Sequence, residues 1–366
     1  MTSAQMRKVL VVTDSKGGPT ATQKISFSQP LEEAGDAAGF RIIFEGEQAG
    51  EDAIASAFAS HAPDLLVLSR YTSAAGQAWI GTARSADVPV IFHIDDDLLA
   101  VPASLGESKF RSYNDPVRLQ ALRDNIGASD LCYVSTQELG ERMKEHGIAG
   151  PIVAGEVYCS VSPAEVGALV PPATGPVIGY MGTGGHSADL AMVLPAICEL
   201  MDLIPALNFE VFGTIKMPPD LARFGTRVRH LPPVGDYAEV RSSLRSLGWW
   251  VGLAPLEDNA FNRCKADTKW VEYSLAGMAV VASDLPVYHR ACADGAGLLA
   301  KSSEDWVKSV VRLLQRPAEW TAMVTAAQDK LRDRYSHERL RQQVAGVFEQ
   351  ALALASGKSS PSPNAA

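Results

Sequence analysis

Lys265, Lys269 and Glu272 are the residues of this chain whose types and spacing best suit chemistry. At i, i+4 and i+7 of a helix predicted from Asn262 to Ala276, they share one face near its beginning. The apolar run Trp249 to Leu253 before them reads as a buried strand. Gly277 stops the helix, and Met278 to Ser283 reads as the next parallel strand. Two cations and a carboxylate in the opening turns of such a helix fit a nucleoside diphosphate. Free N–H groups and the helix dipole meet the phosphates, the lysines neutralise charge, and the carboxylate takes the paired ribose hydroxyls. A solvated helix with an ion pair between Glu272 and one of the lysines fits the same spacing.

A second concentration of charge follows the strand-like run Pro89 to Ile94. Asp95, Asp96 and Asp97 stand at its carboxyl end, where ligands bind in parallel sheets. They can cap and solvate the loop, hold a cation through Asp95 and Asp97 pointing the same way, or accept a hydrogen bond or proton from a substrate hydroxyl. Hard cations usually want more oxygen ligands, so no metal site is expected. Arg70, ending the neighbouring strand Asp64 to Ser69, suits a phosphate or one of these aspartates.

Two glycine-rich loops complete the set. Gly17 and Gly18 follow the strand Lys8 to Thr13, where close backbone approach to a ligand and a plain turn are both open. The loop is not the GxGxxG fingerprint, which argues against a nicotinamide dehydrogenase. Gly182, Thr183, Gly184, Gly185 and His186 link the strand Val177 to Met181 with the helix Asp189 to Met201, a cradle for phosphate or sugar. Asp189 can cap that helix.

Positioning these loops takes strands that alternate with helices. Helices 27–38 and 51–60 flank a strand Arg41 to Glu45, and helices 115–127 and 135–146 flank Asp130 to Val134. Pro163, Pro171, Pro172, Gly175 and Pro176 mark a domain boundary. The pattern then restarts, with strands Phe209 to Phe212, Val228 to Leu231 and Gly297 to Leu299, and helices from Tyr237, Asp305, Trp320 and His337. Residues 1–165 and 173–335 form two α/β halves with a cleft between them, and the Ser/Pro/Asn-rich tail 356–366 reads as disordered.

A chain of 366 residues, 46 % apolar and 20 % charged, has the composition of a soluble enzyme of two ordinary domains. Its net charge of −9 argues against a general nucleic-acid binder. No apolar run is long enough to span a membrane, and the first residues lack a secretory core. The 5 cysteines are scattered and odd in number, which reads as reduced thiols in a cytoplasmic protein.

The segment 249–289 resembles the donor-binding core of two-Rossmann (GT-B) glycosyltransferases, in particular retaining family 4. The shared residues are Asn262, Lys265, Lys269, Glu272, Tyr273, Gly277 and the strand Val280 to Ser283. Gly179, Tyr180, Gly182, Thr183, His186 and Asp189 are similar to the opening of the donor domain in one subgroup. The resemblance implies two Rossmann-like domains facing across a cleft, with a terminal helix, 336–355, that crosses back to the first. Glu272 would bind the ribose, Lys265 and Lys269 the leaving diphosphate, and His93 the donor sugar, although a structural histidine fits position 93 as well. The sequence departs from the family at Cys264, where many members carry a second glutamate. The implied reaction is transfer of a sugar from a nucleotide sugar to the hydroxyl of a carbohydrate or lipid-linked glycan, without cofactor, with retention expected, in polysaccharide biosynthesis. Peripheral membrane contact is compatible with it. A nucleotide-sugar 2-epimerase and a non-catalytic nucleotide-sugar-binding protein are the alternatives.

Overall fold

The computed structural model describes residues 6–32, 35–167, 175–233 and 235–358. Their strands form two six-stranded, all-parallel sheets. The first comprises β1 (Arg7–Val12), β2 (Phe40–Glu45), β3 (Leu65–Ser69), β4 (Val90–Ile94), β5 (Leu131–Val134) and β6 (Ile152–Ala154), in the order β2-β1-β3-β4-β5-β6. The second comprises β7 (Val177–Gly182), β8 (Asn208–Gly213), β9 (Val228–Leu231), β10 (Val251–Ala254), β11 (Ala279–Ser283) and β12 (Leu298–Ala300), in the order β12-β11-β10-β7-β8-β9. Every residue of β3, β4, β10 and β11 is buried, which is why these strands read as unbroken apolar runs. Strand order reverses at β1/β3 and at β7/β10, the positions where such sheets open a crevice at their carboxyl ends.

Packing around β7 and β10 fixes the geometry of the second crevice. A Cβ on Gly179 would lie 2.1 Å from the Trp249 ring, and one on Gly252 2.6 Å from Tyr273. Those two aromatics therefore press directly on the sheet. Tyr273 also ties the helix that carries it to the end of β7, because its hydroxyl accepts a 2.7 Å hydrogen bond from the Met181 amide. Gly213 adopts φ +121, and a Cβ there would stand 2.2 Å from the Gly182 carbonyl oxygen. The carboxyl ends of β7 and β8 can meet only because no side chain is present.

The chain passes between domains twice, side by side. Val161 donates to the Tyr335 carbonyl at 2.8 Å, and His337 donates to the Val161 carbonyl at 3.0 Å. The last helix then returns to the first domain, as expected. Its Phe348 stacks on Phe27 with ring centroids 6.2 Å apart and meets the edge of Phe40 at 5.1 Å. Its Gln343 Oε1 accepts from the Glu156 and Val157 amides.

Several boundaries differ from the sequence reading. The last helix, His337–Lys358, outruns residue 355; the rest of the expected tail, 359–366, lies outside the described residues, as do Pro171 and Pro172. The first helical stretch begins at Ala21 rather than 27, because Thr20 and Gln23 form a capping box there. It passes through a π turn, Lys24–Ser28, just before Pro30, which has no amide to donate. Short helices Gly76–Ser85, Glu107–Tyr113 and Pro286–Cys292 went unread. No helix among the described residues is long and apolar enough to cross a membrane.

Candidate functional site

A cavity of about 380 Å³ opens between the carboxyl ends of the two sheets, beside the β7/β10 reversal. The first domain contributes Ala21, Thr22, Ile25, Asp95 and Asp96, and Tyr158 comes from the segment after β6. From the second come Gly182, Thr183, His186, Lys265, Lys269 and Glu272. Two thirds of the cleft charges picked out in the sequence thus converge, although not on the element expected.

The predicted helix from Asn262 to Ala276 is two helices, Ala260–Arg263 and Thr268–Leu275, with a break between. Asn259 caps the first, accepting from the Asn262 amide at 2.8 Å. The break forms because local groups find distant partners. Thr136 Oγ1 from the first domain donates to the Cys264 carbonyl at 2.8 Å. Asp267, at the N-cap position of the second helix, makes no capping bond and accepts from the buried Tyr335 hydroxyl at 2.6 Å instead. Lys265 therefore lies in the turn rather than on a shared helix face, while Lys269 occupies the first turn of the second helix and Glu272 the next. Cys264 is 3 % exposed and joins the apolar cluster of the first domain with Phe261.

Positive charge in the cavity is incompletely neutralised. Lys265 Nζ is 3.2 Å from Asp96 Oδ1, across the cleft. Among the described residues no carboxylate lies within ion-pair distance of Lys269, whose Nζ stands 5.8 Å from the Tyr180 ring centroid. Burial pushes Lys269 down to about 8, aided by the charge of Lys265 and opposed by Asp189, Glu272 and Asp96. Burial likewise raises Glu272 above the ordinary carboxyl range, against the pull of the Tyr237 phenol, Lys269 and Arg241.

His186 and Asp189 act as a unit. Nδ1 of His186 is 2.8 Å from Asp189 Oδ2. The charge of Lys269, and then burial, push His186 down to about 4, so the ring is neutral at pH 7. Burial opposes ionisation of Asp189, but hydrogen bonds from His186 and the Glu257 amide outweigh it and lower its pKa. Beside an ionised carboxylate a neutral ring must donate through Nδ1, which leaves Nε2 an acceptor. Asp189 is not a helix cap; its other oxygen accepts from the Glu257 amide at 2.9 Å and from Asn262 Nδ2 at 3.4 Å. Asn262 is 3 % exposed and also donates to the Glu257 carbonyl, so it braces the loop after β10 rather than facing the cavity.

The three aspartates point to three places, so of the three readings the one with Asp95 and Asp97 pointing the same way is not what the structure shows. Asp95 accepts from Arg70 Nη1 at 2.6 Å, Tyr158 OH at 2.8 Å and Thr22 Oγ1 at 3.1 Å. Asp97 is fully buried away from the cleft, against Arg142 at 3.0 Å and His146 at 2.8 Å. Asp96 faces Lys265. Among the described residues no three His, Cys, Asp or Glu side chains are grouped to hold a metal ion.

Arg70 supports Asp95 rather than lining the cavity, from a left-handed backbone at φ 52. His93 lies on β4 at 1 % exposure, Nδ1 3.0 Å from Ser69 Oγ, between the rings of Phe27 and Tyr133. It does not line the cavity; the residues of this segment that do, Asp95 and Asp96, lie past the end of β4. Gly17, Gly18 and Gly184 also lie off the cavity, and a Cβ on any of them would meet nothing within 4 Å. Among the described residues no other part of the protein packs closely against them on that side. The sequence reading missed Thr22, Ile25 and Tyr158. Only the capping pair Thr20 and Gln23 could have signalled the first two, and nothing local marks Tyr158.

No protein-family model matches the chain, and no curated protein does. Solved structures do. Sucrose-phosphate synthase from Thermosynechococcus elongatus superposes with a TM-score of 0.68 at 14% identity, over 95% of this chain and 100% of that one. Anabaena HepE in complex with UDP-glucose gives 0.66 at 15%, over 94% and 100%. A putative UDP-N-acetylglucosamine 2-epimerase from Listeria monocytogenes gives 0.54 at 12%, over 94% and 96%. With two parallel six-stranded sheets and near-complete coverage, the chain has the two-Rossmann (GT-B) fold of these proteins.

Proposed function

We propose that this protein is a glycosyltransferase of the family 4 kind that moves a sugar from a nucleoside-diphosphate sugar to an acceptor hydroxyl, with retention. The observation that carries the reading is Lys269, a half-buried cation with no ion-pair partner among the described residues, beside Lys265 and Glu272 in a cleft between two Rossmann-like domains. Such a lysine invites an anion. Lys265, Lys269 and the Gly182-Thr183 loop receive the diphosphate and stabilise the charge that grows on the leaving oxygen, so the lysines do this work without a metal. Glu272 takes the ribose, and the base lies along the cavity wall at Gly213, Thr214 and Pro233. His186 Nε2 offers an acceptor to sugar hydroxyls, the part the sequence reading gave to His93. Asp96 lies on the acceptor side. The acceptor is a carbohydrate or lipid-linked glycan, and the setting is cytoplasmic polysaccharide synthesis.

The fold is shared with sucrose-phosphate synthase and with HepE in its complex with UDP-glucose. The epimerase neighbour keeps a second reading in view, sugar epimerisation on the same nucleotide. The test is a thermal-shift screen with UDP, GDP, dTDP and their sugars, since a ligand of the folded state raises apparent stability. One nucleotide series should raise the melting temperature, and Lys269→Met should abolish the rise. If no nucleotide stabilises the protein, the reading is wrong. Product analysis without acceptor separates the classes, because an epimerase turns the donor over alone and a binding protein leaves it intact.

A further inference from the structure

Lys265 belongs to the diphosphate side of the cleft, yet its Nζ is engaged by the opposite domain, 3.2 Å from Asp96 Oδ1. The same Nζ stands 4.7 Å from the centroid of the Phe261 ring, so the lysine is held from two sides. The pair is partly screened from water, with the Lys265 and Asp96 side chains 17% and 24% exposed. Its neighbours are otherwise committed. Asp95 has both oxygens occupied by Arg70, Thr22 and Tyr158, and Asp97 is buried against Arg142 and His146. Arg70 approaches the second oxygen of Asp96 only at 3.6 Å, while bonding Asp95 at 2.6 Å. Asp96 is therefore the cleft carboxylate whose main partner is one that a bound diphosphate would also claim.

A diphosphate carries more charge and more acceptor oxygens than one carboxylate, so it wins Lys265 when both are in reach. We propose that Asp96 holds Lys265 in the empty cleft and is released by the nucleoside diphosphate, after which its freed carboxylate accepts the hydrogen bond of the incoming acceptor hydroxyl. The inference rests on the glycosyltransferase reading above. It makes one residue do two jobs in sequence. Before donor binds, Asp96 opposes nucleotide binding by competing for the lysine. Once donor is bound, the same oxygen orients the acceptor, so an acceptor bound first meets an occupied carboxylate and binding runs donor first.

The test is a double-mutant cycle on the full chain, with UDP, GDP and dTDP as probes by calorimetry. Asp96→Asn should bind the preferred diphosphate about fivefold more tightly than wild type, the worth of a partly screened ion pair. The gain should vanish in a Lys265→Gln background. In transfer assays Asp96→Asn should raise acceptor KM while donor KM falls, a split that general damage to the fold would not produce. If Asp96→Asn fails to fold, Asp96→Ser carries the same comparison. Unchanged or weaker binding by the Asp96 variant, with wild type binding normally, overturns the exchange and leaves the transferase reading standing. A gain that persists without Lys265 overturns it equally. Wild type that binds none of the three nucleotides overturns both.

Discussion

Between pH 7.5 and 9 the affinity for a nucleoside diphosphate is expected to fall about eightfold as Lys269 loses its proton. Burial sets the perturbation, bringing the ammonium group down to about 8 in the free protein. A lysine so placed is about three-quarters charged at pH 7.5 and about one-tenth charged at pH 9. The charged form is the one that binds phosphate, so apparent affinity follows that fraction, and the bound diphosphate keeps the amine protonated. The second ionisation of a phosphate, near pH 6, is complete across this window and adds no slope. The assay is calorimetric titration of the nucleotide selected by the thermal-shift screen, at half-unit pH intervals and constant ionic strength. Lys269→Arg is the decisive control. A guanidinium stays charged throughout, so whatever its starting affinity the pH profile should flatten. A flat wild-type profile, or the same slope in the arginine variant, would refute the assignment of Lys269 as the diphosphate cation.

Glu272→Ala should raise donor KM by about tenfold or more and leave acceptor KM nearly unchanged, and equal effects on both would count against a ribose contact. Gly213→Ala should cost about 2–4 kcal/mol in denaturant unfolding, since it combines a left-handed backbone with a Cβ pressed on the Gly182 carbonyl; an unaltered midpoint would show that β7 and β8 can part at no cost. The fold should also weaken as pH falls from 6.5 towards 4. His93, through burial, and His186, through Lys269 and burial, are held to about 4, so the unfolded chain takes up protons first. Loss of the lowered Asp96 and Asp189 carboxylates adds to this at lower pH, while Glu272 and Asp267, raised by burial, offset part of it. The melting temperature should drop between pH 7 and 5, and His93→Gln should shrink the drop; equal melting temperatures at both pH values would contradict the sign.

Strand identity was legible because buried parallel strands leave unbroken apolar runs, as at Leu65 to Ser69 and Ala279 to Ser283. The glycine-rich turn after β7 and the lysines were legible as residue types with few structural uses. What escaped depended on partners far along the chain. The break at Cys264 is made by Thr136 and Tyr335, and neither lies within any local window. The fates of Asp95, Asp96 and Asp97 are decided by residues as distant as Tyr158, Lys265 and His146. Helix Gly76–Ser85 begins at a glycine selected by Asn125, whose side chain would occupy the position of its Cβ. Spacing predicts which residues share an element; it does not predict which element a distant hydroxyl will interrupt.

The return of the last helix has a consequence for how the chain is made. Phe27 and Phe40 find their covering ring in Phe348, and Val344 and Ala351 are also fully buried there. During synthesis the opening half must wait, with an apolar flank uncovered, until the helix His337–Lys358 has left the ribosome. The second half can close its own sheet meanwhile, since β7 to β12 are contiguous. Nascent chains arrested near residue 165 should therefore engage chaperones, and the half translated later should be the first to reach its finished form.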